Sequence, residues 1–223
     1  MSLSHGVSII RDSNIIHWDP ANLKSYSGSG TVLTDLSGNA RNGSLINGLS
    51  ISNGVFTNPD NRTKTLRIQS QDWSSYNQVT VDIWYKRTGV NNWGTGGSGL
   101  PSYYQGIFNY YWQGGHQIYV GTTSNANSTD LTVFGVGTTL QLNQWVHIVG
   151  ITGLGGKQAY INGTSIGTAT GVAFESNKDV YFGNWDTSWA SFCDIGAIKI
   201  YNRALTAAEV QQNFNALRGR YGI

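Results

Sequence analysis

Two stretches of the chain gather side chains that could recognise a sugar. Asn184-Trp-Asp-Thr-Ser-Trp189 places Trp185, Asp186 and Trp189 within one short turn-rich run. Asn91-Asn92-Trp93 opens a second run that continues to Tyr103 and Tyr104. Indole and phenol rings stack on the C–H faces of sugar rings, while Asp and Asn hydrogen-bond the hydroxyls. The segment from Gly89 to Pro101 is rich in glycine and long for a connection, as functional loops often are. The candidate ligand-binding residues are therefore Asn184, Trp185, Asp186 and Trp189 on one loop, with Trp93, Tyr103 and Tyr104 on the other. The same aromatics would serve to cap the end of a sandwich or to meet a partner subunit, so both roles stand as expectations.

Catalytic chemistry is harder to assemble. A retaining glycosidase needs two carboxyl groups about 5 Å apart. The chain has only two glutamates, Glu175 and Glu209, and none of its aspartates lie at i, i+2. Glu209 is accounted for by helix capping. The possible bases are His5, His17, His116 and His147. His147 sits in mid-strand on the face of Trp145, Val149 and Ile151, where a core histidine is expected. No nucleophile elbow, zinc-helix or phosphate-loop spacing occurs. The expectation is a protein without catalytic residues, although a carboxylate pair brought together from distant strands stays open.

The elements that must position these loops are strands. Val79 to Lys86 alternates, with Val79, Val81, Ile83 and Tyr85 on one face and Thr80, Asp82, Trp84 and Lys86 on the other. Gln144 to Ile151 is apolar on both faces, which predicts a central, doubly covered strand. Lys157 to Gly167 predicts a hairpin turning at Asn162-Gly163 in type I′ geometry. Further strands are expected at Val7–Ile10, Ile15–Trp18, Ser44–Ile46, Val55–Phe56, Thr65–Ile68, Gln117–Val120, Leu131–Val136, Val180–Gly183 and Ile195–Tyr201. In the last of these Gly196, Ile198 and Ile200 should share a face opposite Lys199 and Tyr201. Trp18, Trp73, Trp84 and Trp145 read as core. About a dozen short strands at turn-rich intervals predict an all-β, two-sheet antiparallel jelly-roll sandwich.

One short helix closes the chain. Thr206 and Glu209 stand at capping-box spacing, and Val210, Phe214 and Leu217 form an i, i+4, i+7 stripe. Arg218, Gly219 and Arg220 supply the cations and glycine of a helix end. A lone helix must pack on a sheet to be stable.

Composition narrows the classes further. Charged residues make up 12% of the chain, about half the usual share, and 29 glycines accompany them, as in turn-rich sandwiches rather than helical enzymes. A formal charge of +2, with scattered Lys and Arg, argues against nucleic acid as a partner. Neither a signal-peptide core nor an apolar run of about 18 residues occurs, so no membrane insertion and a soluble, non-exported chain are expected. The single cysteine, Cys193, reads as a small buried hydrophobe rather than a nucleophile. Residues 1–14 read as an arm and 15–223 as one domain.

The end of the chain also carries a family signature. Ile198-Lys-Ile-Tyr-Asn-Arg-Ala-Leu-Thr-Ala-Ala-Glu-Val210 resembles the closing strand, turn and helix of the laminin G-like group within the concanavalin A-like lectin/glucanase superfamily. Asp35-Leu-Ser-Gly-Asn39 followed by Asn42-Gly43 resembles that family near its first strands. Trp145-Val-His-Ile-Val149 with Ala159-Tyr-Ile-Asn-Gly163 resembles its central hairpin. Trp18 to Gly30, and the tail Asn213 to Ile223, resemble the versions found in bacteriophage virion proteins.

This resemblance implies a concanavalin A-like sandwich and a lectin-like role. It further implies a virion-surface protein of fibre or decoration type that binds host cell-surface polysaccharide or glycan. Other virion subunits, or further copies of the chain, are the remaining implied partners. A purely structural decoration or assembly protein and a glycoside hydrolase or lyase are the competing readings. Calcium is the cofactor the resemblance brings with it. It would need six to eight oxygens, largely from loops. Asp186, Asp194 and Asp35 are the candidate ligands, though Gly196-Ala197 stands where the family often has an acidic pair.

Overall fold

The computed structural model describes residues 7–58, 64–90, 105–110, 115–120, 129–184 and 191–223. In chain order the strands are β1 (Asn14–Trp18), β2 (Val32–Leu33), β3 (Gly43–Ile46), β4 (Ser50–Ser52), β5 (Val55–Asn58), β6 (Thr65–Gln71), β7 (Gln78–Arg87) and β8 (Gln105–Tyr110). Then come β9 (Gln117–Val120), β10 (Asp130–Val133), β11 (Val136–Thr139), β12 (Trp145–Gly153), β13 (Lys157–Ile161), β14 (Thr164–Ala169), β15 (Lys178–Phe182) and β16 (Cys193–Tyr201), followed by the helix α1 (Ala207–Tyr221).

These strands form two antiparallel sheets of eight. Sheet A runs β14-β13-β12-β7-β16-β5-β4, with β1 also paired to β16. Sheet B runs β11-β10-β9-β8-β15-β6-β3-β2. Alternation puts Val79, Val81, Ile83 and Tyr85 of β7 inside, facing Phe108, Ile118, Val133, Phe134 and Phe182 from the sheet B side. Gly150 of β12 lies where a side chain would run into Val133 and Phe134, so the two sheets approach closely there.

The expected all-β sandwich with one C-terminal helix is present. Several local expectations are corrected. Val7–Ile10 is not a strand, although Ile10 is pinned to the helix. Leu131–Val136 is a hairpin rather than one strand, because Phe134 and Gly135 take positive φ of 50° and 91° and fold it back. Gln105–Tyr110 is a fully buried strand that the aromatic composition of its surroundings concealed. The helix runs through Gly219 and closes on Gly222, whose φ of 75° makes it the left-handed cap.

The last strand shows the most instructive difference. β16 bulges between Ile195 and Ile198, and the bulge turns Gly196 to the outer face of sheet A with Lys199. Gly196 therefore does not share a face with Ile198 and Ile200, which point into the core. A side chain at Gly196 would meet the ring of Tyr221, so the missing Cβ is what lets the helix lie flat on the sheet.

Candidate functional site

Helix α1 covers the middle of the outer face of sheet A, over β7, β12 and β16, and beside it lies a pocket lined by Thr57, Lys86, Trp145 and Asp194. Thr206 and Glu209 complete a capping box at the start of α1, as their spacing predicts. Glu209 is also gripped by Arg203, at 2.7 and 2.8 Å. The helix then lays Val210, Asn213, Phe214 and Tyr221 onto the sheet. Tyr221 stacks on Trp84 at 4.2 Å, and Phe214 lies over Trp84 and His147 at 6.0 and 5.9 Å. Trp84 is thus buried beneath a helix rather than between the sheets. Trp145, expected in the core, sits half-buried at the margin of this stack, 4.6 Å from Tyr221 and 5.2 Å from the Lys86 ammonium.

Beneath the helix lies a buried charge cluster. Lys199 donates to Asp82 Oδ1 at 2.8 Å, and His147 Nε2 lies 3.1 Å from the same oxygen; all three side chains are fully buried. Asn213 donates to Asp82 Oδ2 at 2.8 Å and to the Tyr201 hydroxyl at 2.9 Å. Burial opposes ionisation of Asp82, but Lys199 and His147 overcome it and hold the carboxyl well below its usual range. His147 is not fully satisfied, for its Nδ1 has no hydrogen-bond partner among the described residues. With no path to solvent, this cluster joins helix to sheet and is not placed to meet a ligand.

Among the described residues, no helix lies over sheet B. One row crosses its outer face from strand to strand through Ser44, Arg67, Tyr181, Asn109 and Gln117, each paired in register with the next. Tyr119 and Thr132, antiparallel partners on β9 and β10, form a second row one step along. Tyr181 and Arg67 are partly exposed. The Tyr181 hydroxyl donates to Asp179 at 3.2 Å, and Arg67 stands 3.9 Å from the same carboxylate. Burial, then the neighbouring Asp179, raises the Tyr181 pKa, so the phenol remains a neutral donor. An aromatic ring, a guanidinium and a carboxylate thus share a partly exposed surface beside Gln117, while Asn109 of the same row is buried.

The connections expected to bind ligand attach to one end of this sheet. The start of β10, the end of β9, the start of β8, the end of β15 and the start of β6 are successive neighbours there: Leu131 pairs Val120, Val120 pairs Gln105, and Phe182 pairs both Phe108 and Leu66. Segments 59–63, 91–104, 121–128 and 185–190 all join at these strand ends. Their described flanks are tied together: Thr88 donates to the Phe192 carbonyl at 2.9 Å, Ser191 to the Gly183 carbonyl at 2.9 Å, and Arg87 to Gln105 at 3.2 Å. Trp93, Tyr103, Tyr104, Trp185, Asp186 and Trp189 lie outside the described residues. Asn184 is fully buried and already engaged, so its amide is not presented at the surface as expected. Aromatic loop composition misses the sheet-borne Arg67 and Tyr181; the polar positions of β6 and β15, alternating with Leu66, Ile68, Val180 and Phe182, carry that signal.

The two calcium candidates among the described residues, Asp35 and Asp194, are already engaged. Asp35 accepts from the amides of His17, Ser37 and Arg41 and from the Ser37 hydroxyl, at 2.7 to 3.1 Å, so its oxygens organise a turn. Asp194 is paired with Lys86 at 2.6 Å. Asp186 lies outside the described residues, and among the described residues no three metal-ligating side chains cluster. Cys193 is buried, and burial pushes its thiol up to about 12, away from nucleophilic use. Among the described residues no helix is long and apolar enough to cross a membrane.

Comparison with known proteins agrees with this architecture. A sialidase from Trypanosoma rangeli in complex with sialic acid superposes with a TM-score of 0.69 at 12% identity, over 98% of this chain and 35% of the sialidase. The receptor-binding domain of a botulinum neurotoxin C/D mosaic serotype gives 0.64 at 14% identity, over 92% of this chain and 51% of that one. Domain 4 of the arabinanase AbnA from Geobacillus stearothermophilus, in complex with arabinotriose, gives 0.60 at 18% identity, over 92% and 98% respectively. The chain thus spans about a third of the sialidase and about half of the toxin domain, but nearly all of the arabinanase domain. No curated protein matches in a sequence search. The family model for the concanavalin A-like lectin/glucanases superfamily (Laminin_G_3) matches residues 60–211, from the entry to β6 into the first turns of α1. With two antiparallel sheets, a bulged closing strand and a capped helix covering the middle of one face, the chain belongs to the concanavalin A-like lectin/glucanase superfamily.

Proposed function

We propose that this protein is a non-catalytic carbohydrate-binding sandwich whose ligand lies on the outer face of sheet B, at the end where the four connecting segments join. The observation that carries this is the asymmetry of the two faces. Helix α1 covers the middle of sheet A, while among the described residues sheet B carries no helix and leaves Tyr181, Arg67 and Asp179 partly exposed beside Gln117. A phenol for stacking, together with charged and amide groups for hydroxyls, is the composition a sugar site needs. Trp185 and Asp186 follow directly on β15, the strand that carries Tyr181, and Trp93, Tyr103 and Tyr104 lead into its neighbour β8. Two of the solved relatives hold a sugar, sialic acid in one and arabinotriose in the other, which supports the ligand class.

The absence of catalysis is supported by where the acids are held. Glu209 caps the helix and pairs with Arg203, Glu175 pairs with Lys178 at 2.9 Å, and Asp82 is sealed under the helix. A setting on a phage virion is part of the proposal and draws on the likeness of Trp18 to Gly30 and of the tail. In the fold these two segments meet, for Arg220 grips Asp19 through both carboxylate oxygens at 2.8 and 2.9 Å.

Retention on an array of bacterial surface polysaccharides, arabino-oligosaccharides and sialylated glycans tests the proposal. The wild type should be retained by a subset, and Tyr181→Ala and Trp185→Ala should each lose retention at least tenfold without a large change in melting temperature. Retention that is unaltered in both variants would overturn the site. Release of reducing sugar from any retained glycan would overturn the non-catalytic assignment.

A further inference from the structure

A second pocket lies well apart from sheet B, between the arm that precedes β1 and the loops that follow it. The arm is fixed in place. The Ile10 amide donates to Asn213 Oδ1 at 2.8 Å, the Tyr201 hydroxyl donates to the Ile10 carbonyl at 3.1 Å, and Gln212 donates to the Ser8 carbonyl at 2.8 Å. These bonds hold Ile9 and Arg11 opposite His17 and the turn carrying Asn22 and Lys24, and the space enclosed is about 330 Å³.

The charges around this pocket do not cancel locally. Asp12 is paired with Arg203, Asp19 with Arg220, and Asp35 is filled by its own turn. Arg11 and Lys24, both exposed, pair with none of the described carboxylates. The neutral polar lining is complementary to hydroxyls. Asn22 accepts from the Lys24 amide through Oδ1, leaving its NH₂ free, and Asn14 donates to the Ile16 and Ile200 carbonyls, leaving its Oδ1 free to accept. The His17 ring has no described partner. Burial first, then the nearby Lys199, lowers its pKa to about 4, so near neutral pH it is one donor and one acceptor. Ile9 and Leu36 add apolar wall for the C–H face of a ring.

From this geometry we infer a binding site for a single anionic sugar unit, whose carboxylate or sulfate ester is held by Arg11 and Lys24 and whose hydroxyls meet Asn14, His17 and Asn22. Volume favours a sugar over a bare ion, since small-molecule sites begin at about 300 Å³. Charge-assisted Arg–carboxylate pairs are among the stronger hydrogen-bonded contacts. The site is separate from the face of sheet B and does not depend on it.

The test is a ¹⁵N-resolved NMR titration of the full chain with glucuronate, galacturonate, N-acetylneuraminate and glucose 6-sulfate, with glucose and sodium sulfate as controls. At least one anionic sugar should shift the Asn14, His17 and Lys24 amides saturably, and glucose should bind at least tenfold more weakly. Arg11→Gln/Lys24→Gln should weaken that binding at least tenfold at unchanged melting temperature, while Trp185→Ala should leave it intact. The inference is overturned if no anionic sugar moves these amides. It is equally overturned if glucose or sulfate alone binds as tightly, or if the double variant binds like wild type.

Discussion

The Lys199 ammonium lies 2.8 Å from Asp82 Oδ1, with neither side chain reaching solvent. Strands β7 and β16 of sheet A are therefore joined through an ion pair that water cannot replace, and Asn213 of α1 ties the helix to the same carboxylate. Asp82→Ala leaves Lys199 buried and unpaired and should destabilise the fold by about 3–5 kcal/mol, since removing one partner strands the other charge. Asp82→Leu combined with Lys199→Met should recover most of that loss. Urea denaturation reads both. A single-variant loss below about 1 kcal/mol would contradict the pairing of Lys199 with Asp82 as buried charges.

Acid should weaken the protein in two stages. His17 has a folded pKa near 4 against an ordinary 6.5, so between these values the unfolded chain binds a proton that the folded chain refuses. The resulting penalty is absent above pH 6.5 and grows as pH falls toward 4, by at most about 1.4 kcal/mol per pH unit. Asp82 acts lower down. Its depressed folded pKa gives stability that is complete above the ordinary carboxylate value of about 3.9 and is lost as pH falls below it. Glu209 follows the same sign, with its pKa held at about 2, chiefly by hydrogen bonds from Arg203. Melting temperatures from pH 8 to 3 should decline below 6.5, and His17→Gln should flatten the upper part of that decline. An unchanged slope in that variant would contradict the assignment.

Much of this architecture is legible in the residues themselves. The alternation of Val79 to Lys86, the turn at Asn162-Gly163 and the Thr206–Glu209 box each depend on neighbours close in sequence, and each forms as expected. What sequence periodicity misplaces depends on tertiary contact. Lys199 reads as an outward, polar position, and it does point outward, but α1 buries it against Asp82 from a strand more than a hundred residues earlier. The bulge at Gly196 cannot be seen in a period-two pattern, because one extra residue reverses it. The sugar-binding candidates were found by aromatic loop composition. That signal passes over Tyr181 and Arg67, which ride on strands whose inner faces dominate their pattern.

The bulge has its own consequence. A Cβ on Gly196 would sit 2.6 Å from Tyr221 Cζ and 2.7 Å from Cε1. Gly196→Ala should therefore push Tyr221 off Trp84 and cost about 1–3 kcal/mol, as overpacking does. Tyr221→Ala in the same chain should relieve the clash, so the double variant loses less than the sum of the two singles. Additive losses in thermal denaturation would contradict direct contact between the two residues.

The central claim is that the glycan retained on the array meets the outer face of sheet B and not the part of sheet A that α1 covers. Its most direct test is amide shift mapping with a glycan retained on the array, added to the wild-type protein. The account predicts saturable shifts at Arg67, Asn109, Gln117 and Tyr181, and at the flanks Gln105 and Gly183, with Asp82, Lys199 and the residues of α1 unmoved. Saturable binding whose shifts map to α1 and the outer face of sheet A, with sheet B silent, would contradict it.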